Sequence, residues 1–137
     1  MAVDFPSVLI PFYREALTVK TGGNPTPVLQ RVLSDRFRSI NGSETKDKAT
    51  LMAQVEGFWK LIPDLKWEPQ EKLEQDNKAV VRSIATGSPR GPFMGLTLDG
   101  SRSFRIDTID IHTVEDGQIL EVHHLEDWAT ALRQLRG

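Results

Sequence analysis

Residues 104–128, FRIDTIDIHTVEDGQILEVHHLEDW, constrain the fold of this chain more than any other stretch. Residues 104–114 alternate in character and are rich in β-branched types, Glu115-Asp116-Gly117 supplies a turn, and residues 119–125 run back. The pattern predicts a β-hairpin. Successive side chains of a strand point to opposite faces. Thr108, Asp110, His112 and Val114 therefore share one face, and Asp107, Ile109, Ile111 and Thr113 share the other. On the return strand Leu120, Val122 and His124 go together. One Asp and two His among apolar residues, on one face of a sheet, mark the place to look for chemistry. Ile109 and Ile111 behind them predict a sheet covered on both sides.

Upstream of this hairpin the chain supplies helices first and strands after. Residues 5–18 read as a helix with Leu9, Phe12, Tyr13, Ala16 and Leu17 on one side. Pro11 either kinks it or marks its start near Ile10. Gly22-Gly23-Asn24-Pro25 is a loop. Thr26 as N-cap and Pro27 at the first helical position begin a second helix through Val28, Leu29, Val32 and Leu33. Residues 35–45 read as a link around Asn41-Gly42. Leu51, Val55, Phe58, Trp59 and Ile62 repeat at helical spacing over residues 47–61, and Pro63 stops that helix. Residues 65–73 are a strand that Pro69 assigns to an edge. Asp76-Asn77-Lys78 is a turn, residues 79–86 a strand, and residues 87–100 a long loop rich in Gly and apolar side chains. Asp127 caps a short last helix carrying Trp128, Leu132 and Leu135. The order predicts an α+β fold, with N-terminal helices on one face of a strongly curved, mostly antiparallel sheet. Such a sheet, capped by helices, leaves a conical internal pocket.

Without repeats or a linker, 137 residues fit one domain, 1–137. A net charge of −2 gives no argument for a nucleic-acid or anionic-membrane partner. The absence of cysteine excludes disulfides, thiolate catalysis and Cys-ligated metals. No apolar run approaches the roughly 18 residues a membrane span needs. The N-terminus, MAVDFPSV, lacks the basic region of a secretory signal, so a cytoplasmic location is expected.

Three segments, LIPDLKWEP (61–69), VVRSIATGSPRGPFMGL (80–96) and IDIHTVEDGQILEVHHLEDW (109–128), with the ALRQL tail, resemble the SnoaL-like polyketide cyclase family. That family is a branch of the superfamily of cone-shaped α+β barrels, and the likeness runs from about Val8 to Leu135. The resemblance implies a cofactor-free enzyme that forms a carbon–carbon bond by intramolecular aldol condensation, using a pocket Asp as general acid/base and a neighbouring His. Aligned on the VEDG turn, the family's His position falls on Asp110 and its Asp position on His124, so the two residue types are present with their places exchanged. The chain also resembles ketosteroid isomerase, more distantly. That resemblance implies oxyanion donors at Tyr13 and Asp110. The isomerase's base falls near Asn41, where an amide cannot act as a base.

The residues themselves carry a functional and a structural reading side by side. Asp110 between two isoleucines must be neutralised or hydrogen-bonded, and a structural partner would be Arg82 or Arg105. His124 titrates near neutrality and suits acid/base work. His112 is placed nearer the barrel end and His123 on the other face. Tyr13 is a core tyrosine or an oxyanion donor. Arg82 either orients the substrate or keeps Asp110 ionised. Trp59, Phe93 and Met94 are expected in the pocket wall, where core and wall overlap. Three His and an Asp raise a metal reading, but no spaced ligand motif is present, so no metal or cofactor is expected.

The expectation is therefore a lyase, cyclase or isomerase acting on an apolar carbonyl-bearing small molecule. Asp110 and His124 would exchange the proton and Tyr13 and Asn41 would polarise the oxygen. Arg82, Trp59, Phe93, Met94 and His112 would bind substrate. The alternatives are a non-catalytic small-molecule binding protein on the same fold, and a hydrolase like limonene epoxide hydrolase. The Ile109–Ile111 face predicts a homodimer.

Overall fold

The computed structural model describes residues 5–137; residues 1–4, on which part of the reading of the N-terminus rests, lie outside them. Pro11 decides the shape of the first segment. It has no amide proton to give to a helical ladder. Instead of one α-helix over 5–18, two π-helical turns, Phe5–Leu9 and Phe12–Ala16, flank it. The second closes with the Leu17 amide donating to the Phe12 carbonyl at 3.0 Å.

Helix α1, Thr26–Val32, begins one residue earlier than the sequence suggests, and the Asn24 side chain accepts from the Thr26 amide. It also ends earlier, because Leu33 opens strand β1, Leu33–Asn41. Residues 35–45 are therefore no link. β1 turns at Asn41-Gly42 and pairs with β2, Glu44–Asp47. The outer face of β1 hides it in the sequence: only Leu33, Phe37 and Ser39 are buried, so no apolar alternation shows. Asp47 then caps α2, Lys48–Leu61, by accepting from the Thr50 amide at 2.8 Å.

Strand β3, Lys66–Gln75, is an edge, and its register slips between Pro69 and Glu71, as a missing amide requires. Strand β4 is Lys78–Gly87. The expected loop 87–100 contains a small separate hairpin, β5 Arg90–Phe93 and β6 Leu96–Asp99, turning through Met94 and Gly95, both at positive φ. The organising hairpin is β7 Phe104–Glu115 and β8 Gln118–Glu126, joined at Asp116-Gly117 with both residues at positive φ. Asp127 caps α3, Trp128–Arg136.

The main sheet has the order β2-β1-β8-β7-β4-β3, with only the β1–β8 pair parallel, and it curls without closing. Its concave face carries Phe37, Trp67, Val81, Ile106 and Val122 and packs on the N-terminal segment and α2. One detail of the hairpin differs from simple alternation. A bulge sets Val114 opposite Ile119, so Ile119 rather than Leu120 is buried.

Candidate active site

Alternation along β7 sends Thr108, Asp110 and His112 inward, all fully or nearly buried. Across the β7–β8 ladder Thr108 stands opposite Glu126, Asp110 opposite His124 and His112 opposite Val122. These residues form one face of the hairpin, and Asp110, Val122, His124 and Glu126 line a cavity of about 250 Å³. Phe12, Leu17, Leu51, Val55, Phe58, Trp67 and Trp128 make its apolar wall.

Two hydrogen-bonded chains meet at this wall. Behind it, the Tyr13 hydroxyl donates to Asp110 Oδ2 at 2.6 Å and lies 2.7 Å from His112 Nε2. Tyr13 and His112 are fully buried, and Asp110 is nearly so, at the cavity wall. Burial pushes the Asp110 carboxyl up to about 7, and the charge of Glu126 adds to this, while the Tyr13 bond and His124 pull it back. Burial holds the His112 imidazole down at about 3, so it is neutral, with the charge of His124 acting in the same direction. Burial, and then the charge and hydrogen bond of Asp110, drive the Tyr13 hydroxyl well above its ordinary value. A neutral imidazole that donates from Nε2 to Tyr13 leaves Nδ1 as a bare acceptor, and Nδ1 has no partner. Along the wall, His124 Nδ1 lies 2.9 Å from Glu126 Oε2, and the Trp128 indole donates to Glu126 Oε1 at 2.8 Å. Burial alone would lower the His124 pKa. The hydrogen bond and charge of Glu126, joined by Asp110, outweigh that and raise it, against the charge of Lys46. With Nδ1 engaged, His124 has Nε2 left to act.

The structure brings some of the expected residues together and separates others. Asp110 and His124 share the cavity wall, and Asn41 stands on its rim at the end of β1. Tyr13 does not line the cavity; its hydroxyl is spent on Asp110. His112 is buried behind Tyr13 and does not line the cavity. Arg82 is on the outer face, bonded to Glu71 at 2.6 Å and Asp107 at 3.2 Å, so it neither faces the cavity nor neutralises Asp110. Trp59 gives its indole N–H to the Ala16 carbonyl. Phe93 stacks behind the wall, on Phe104 and against Trp128. Met94 is exposed at the tip of the small hairpin and does not line the cavity. Glu126, Lys46, Gln54 and Ser39 also line the cavity, and for Lys46, Gln54 and Ser39 no sequence pattern marked them. Glu126 was legible, since alternation carried two residues past His124 reaches it.

The family's sequence profile matches residues 11–135. The chain belongs to the SnoaL-like polyketide cyclase family. No curated protein matches it at a significant level in sequence. Solved structures share the fold of this SnoaL-like chain. A proposed SnoaL-like polyketide cyclase of Jannaschia sp. CCS1 is 19% identical, with a TM-score of 0.80 over 93% of this chain and 88% of its own. TsrD of Streptomyces laurentii is 24% identical, with a TM-score of 0.75 over 93% and 88%. IdmH of Streptomyces antibioticus, a proposed polyketide cyclase, is 21% identical, with a TM-score of 0.78 over 94% and 96%. No described helix is long and apolar enough to cross a membrane.

Within this SnoaL-like site, Asp110, His124 and Glu126 each offer a ligand atom within 4.8 Å of the others. Two carboxylates and an imidazole suit a divalent cation in type. Each of the three also has a hydrogen-bond partner: Tyr13 for Asp110, Glu126 for His124 and Trp128 for Glu126.

Proposed function

We propose that this protein is a cofactor-free acid–base catalyst of the polyketide-cyclase kind, acting on an apolar small molecule whose carbonyl group has an acidic α-hydrogen. What carries this reading is the Asp110–His124 cross-strand pair on the wall of a mostly apolar cavity. A carboxyl raised to about 7 takes and returns a proton near neutrality, where a general base works best. Tyr13 favours its ionised form and acts through Asp110, not on the substrate. Glu126 orients His124 and favours the imidazolium.

In this reading Asp110 removes the α-proton. The carbanion attacks a second carbonyl of the same molecule and a carbon–carbon bond forms. His124 Nε2–H protonates the resulting alkoxide, and the proton held by Asp110 returns to His124. Asn41 offers an amide N–H to the developing oxygen from the rim. The aromatic wall excludes water and holds the skeleton. The outer face, with Ile109 and Ile111 exposed, is the proposed homodimer contact. Titration of carbonyl ligands beside a turnover assay tests the proposal. Asp110→Asn and His124→Ala are each expected to lose about 10²–10⁴ in rate with little change in ligand affinity. If no enolisable ligand turns over and both variants bind like the unaltered protein, the protein is a small-molecule binder without catalysis.

A further inference from the structure

One corner of the cavity is polar, and its groups take no part in the acid–base pair. Ser39, on β1, is buried and lines the cavity, and its hydroxyl has no hydrogen-bond partner. A buried hydroxyl is costly to leave unpaired, so one at a cavity wall points to an atom supplied by a ligand. Lys46, on β2, is Ser39's partner in the β1–β2 register and lines the same cavity. Its ammonium donates to Gln54 Oε1 at 3.1 Å and lies 3.2 Å from the carboxylate of solvent-exposed Glu44. An ammonium has three donors, and these contacts use two. Gln54, from α2, gives its oxygen to Lys46 and keeps its NH₂ group as a donor toward the cavity it lines. The corner thus presents donors from two strands and a helix. Asp110, His124 and Glu126 lie elsewhere on the wall, where the Glu126 carboxylate balances the His124 imidazolium and leaves no net positive charge for an anion.

Resting on the proposed function, we infer that the substrate carries a carboxylate that docks on Ser39, Lys46 and Gln54. Its carbonyl-bearing skeleton then lies between the aromatic wall and the Asp110–His124 pair. The ligand carboxylate accepts hydrogen bonds from the third N–H of Lys46 and from the Ser39 hydroxyl, and competes with the weakly held, solvated Glu44. Because the catalytic end, where Glu126 balances the His124 imidazolium, offers a carboxylate no net positive charge, the Lys46 corner also sets which end of the molecule meets the catalytic pair.

The test is calorimetric titration with 2-naphthoate and its uncharged methyl ester at about pH 6, where the probe is ionised. The acid is expected to bind about tenfold tighter than the ester. Lys46→Gln is expected to erase that preference by weakening the acid alone, and Ser39→Ala to reduce it, with circular dichroism reporting that each variant is folded. Equal affinity for acid and ester, a preference that survives both substitutions, or no binding of either probe overturns the inference. The catalytic reading fails differently. An acid preference without turnover of any enolisable ligand leaves the carboxylate site standing, and Asp110-dependent turnover without the preference leaves the catalyst standing.

Discussion

Asp110 and His112 sit two residues apart on one strand face, and the same burial moves them in opposite directions. His112 ordinarily titrates at 6.5 and is held at about 3. Between those values the unfolded chain takes up a proton that the fold refuses, so stability falls as the pH falls from about 6.5 toward 3. Asp110 runs the other way. Its contribution is fully present below 3.8 and is lost as the pH rises through about 7. Over the shared window the two slopes oppose each other. In Asp110→Asn only the histidine slope remains, and urea unfolding is expected to show stability falling by about 1.4 kcal/mol more per pH unit than in the unaltered protein on acidification below pH 6.5. Identical pH dependence in the two proteins would contradict the burial argument. The same residues set the activity profile. Turnover is expected to rise as Asp110 ionises, through about pH 7, and to fall as His124 loses its proton. Tyr13→Phe removes the hydrogen bond that favours the Asp110 carboxylate, so the acid limb of the profile is expected to move to higher pH. An unmoved limb would show that Tyr13 acts elsewhere.

Among the elements, β7 and β8 were legible because strict alternation and a turn of two positive-φ residues leave little else to form. Gly117, at φ +74, has open space where a Cβ would stand, so Gly117→Ala is expected to cost only the backbone term, about 1 kcal/mol. Gly87 is the contrast. At the end of β4 a Cβ would meet Ile62 Cγ2 at 2.5 Å, and Gly87→Ala is expected to cost roughly 1–3 kcal/mol through overpacking. Equal losses in urea unfolding would contradict that distinction. Elements without apolar alternation were not legible. β1 shows mostly polar side chains outward, and β5 and β6 are four-residue strands, the first holding both Gly91 and Pro92. The site followed the same rule. Asp110 and His124 could be placed by counting along strands. Arg82 could not, because its face depends on the β4–β7 register, which sets it opposite Ile109 on the outer side. Tyr13 and Asp110 meet across 97 residues of chain, a contact no local pattern encodes.

At the scale of the molecule, the two faces of one sheet differ in character. The concave face holds the cavity, and the outer face leaves Ile109 46%, Ile111 40% and Leu125 68% exposed on adjoining strands. A patch of that kind on a pair of central strands supports the proposed isologous homodimer. Light scattering at micromolar concentration is expected to give a dimer mass, and Ile109→Glu with Leu125→Glu a monomer; a monomer before substitution would refute the contact. Whether Asp110 takes a proton from carbon decides the proposed chemistry. The decisive measurement is nuclear magnetic resonance of 2-tetralone, an apolar enolisable ketone, in deuterated buffer, with binding followed in the same samples. The unaltered protein is expected to accelerate exchange of the ketone's α-hydrogens, and Asp110→Asn to bind it as well while exchanging it about 10²–10⁴ more slowly. A ketone that binds the unaltered protein without faster exchange, or that exchanges equally fast on Asp110→Asn, would contradict it.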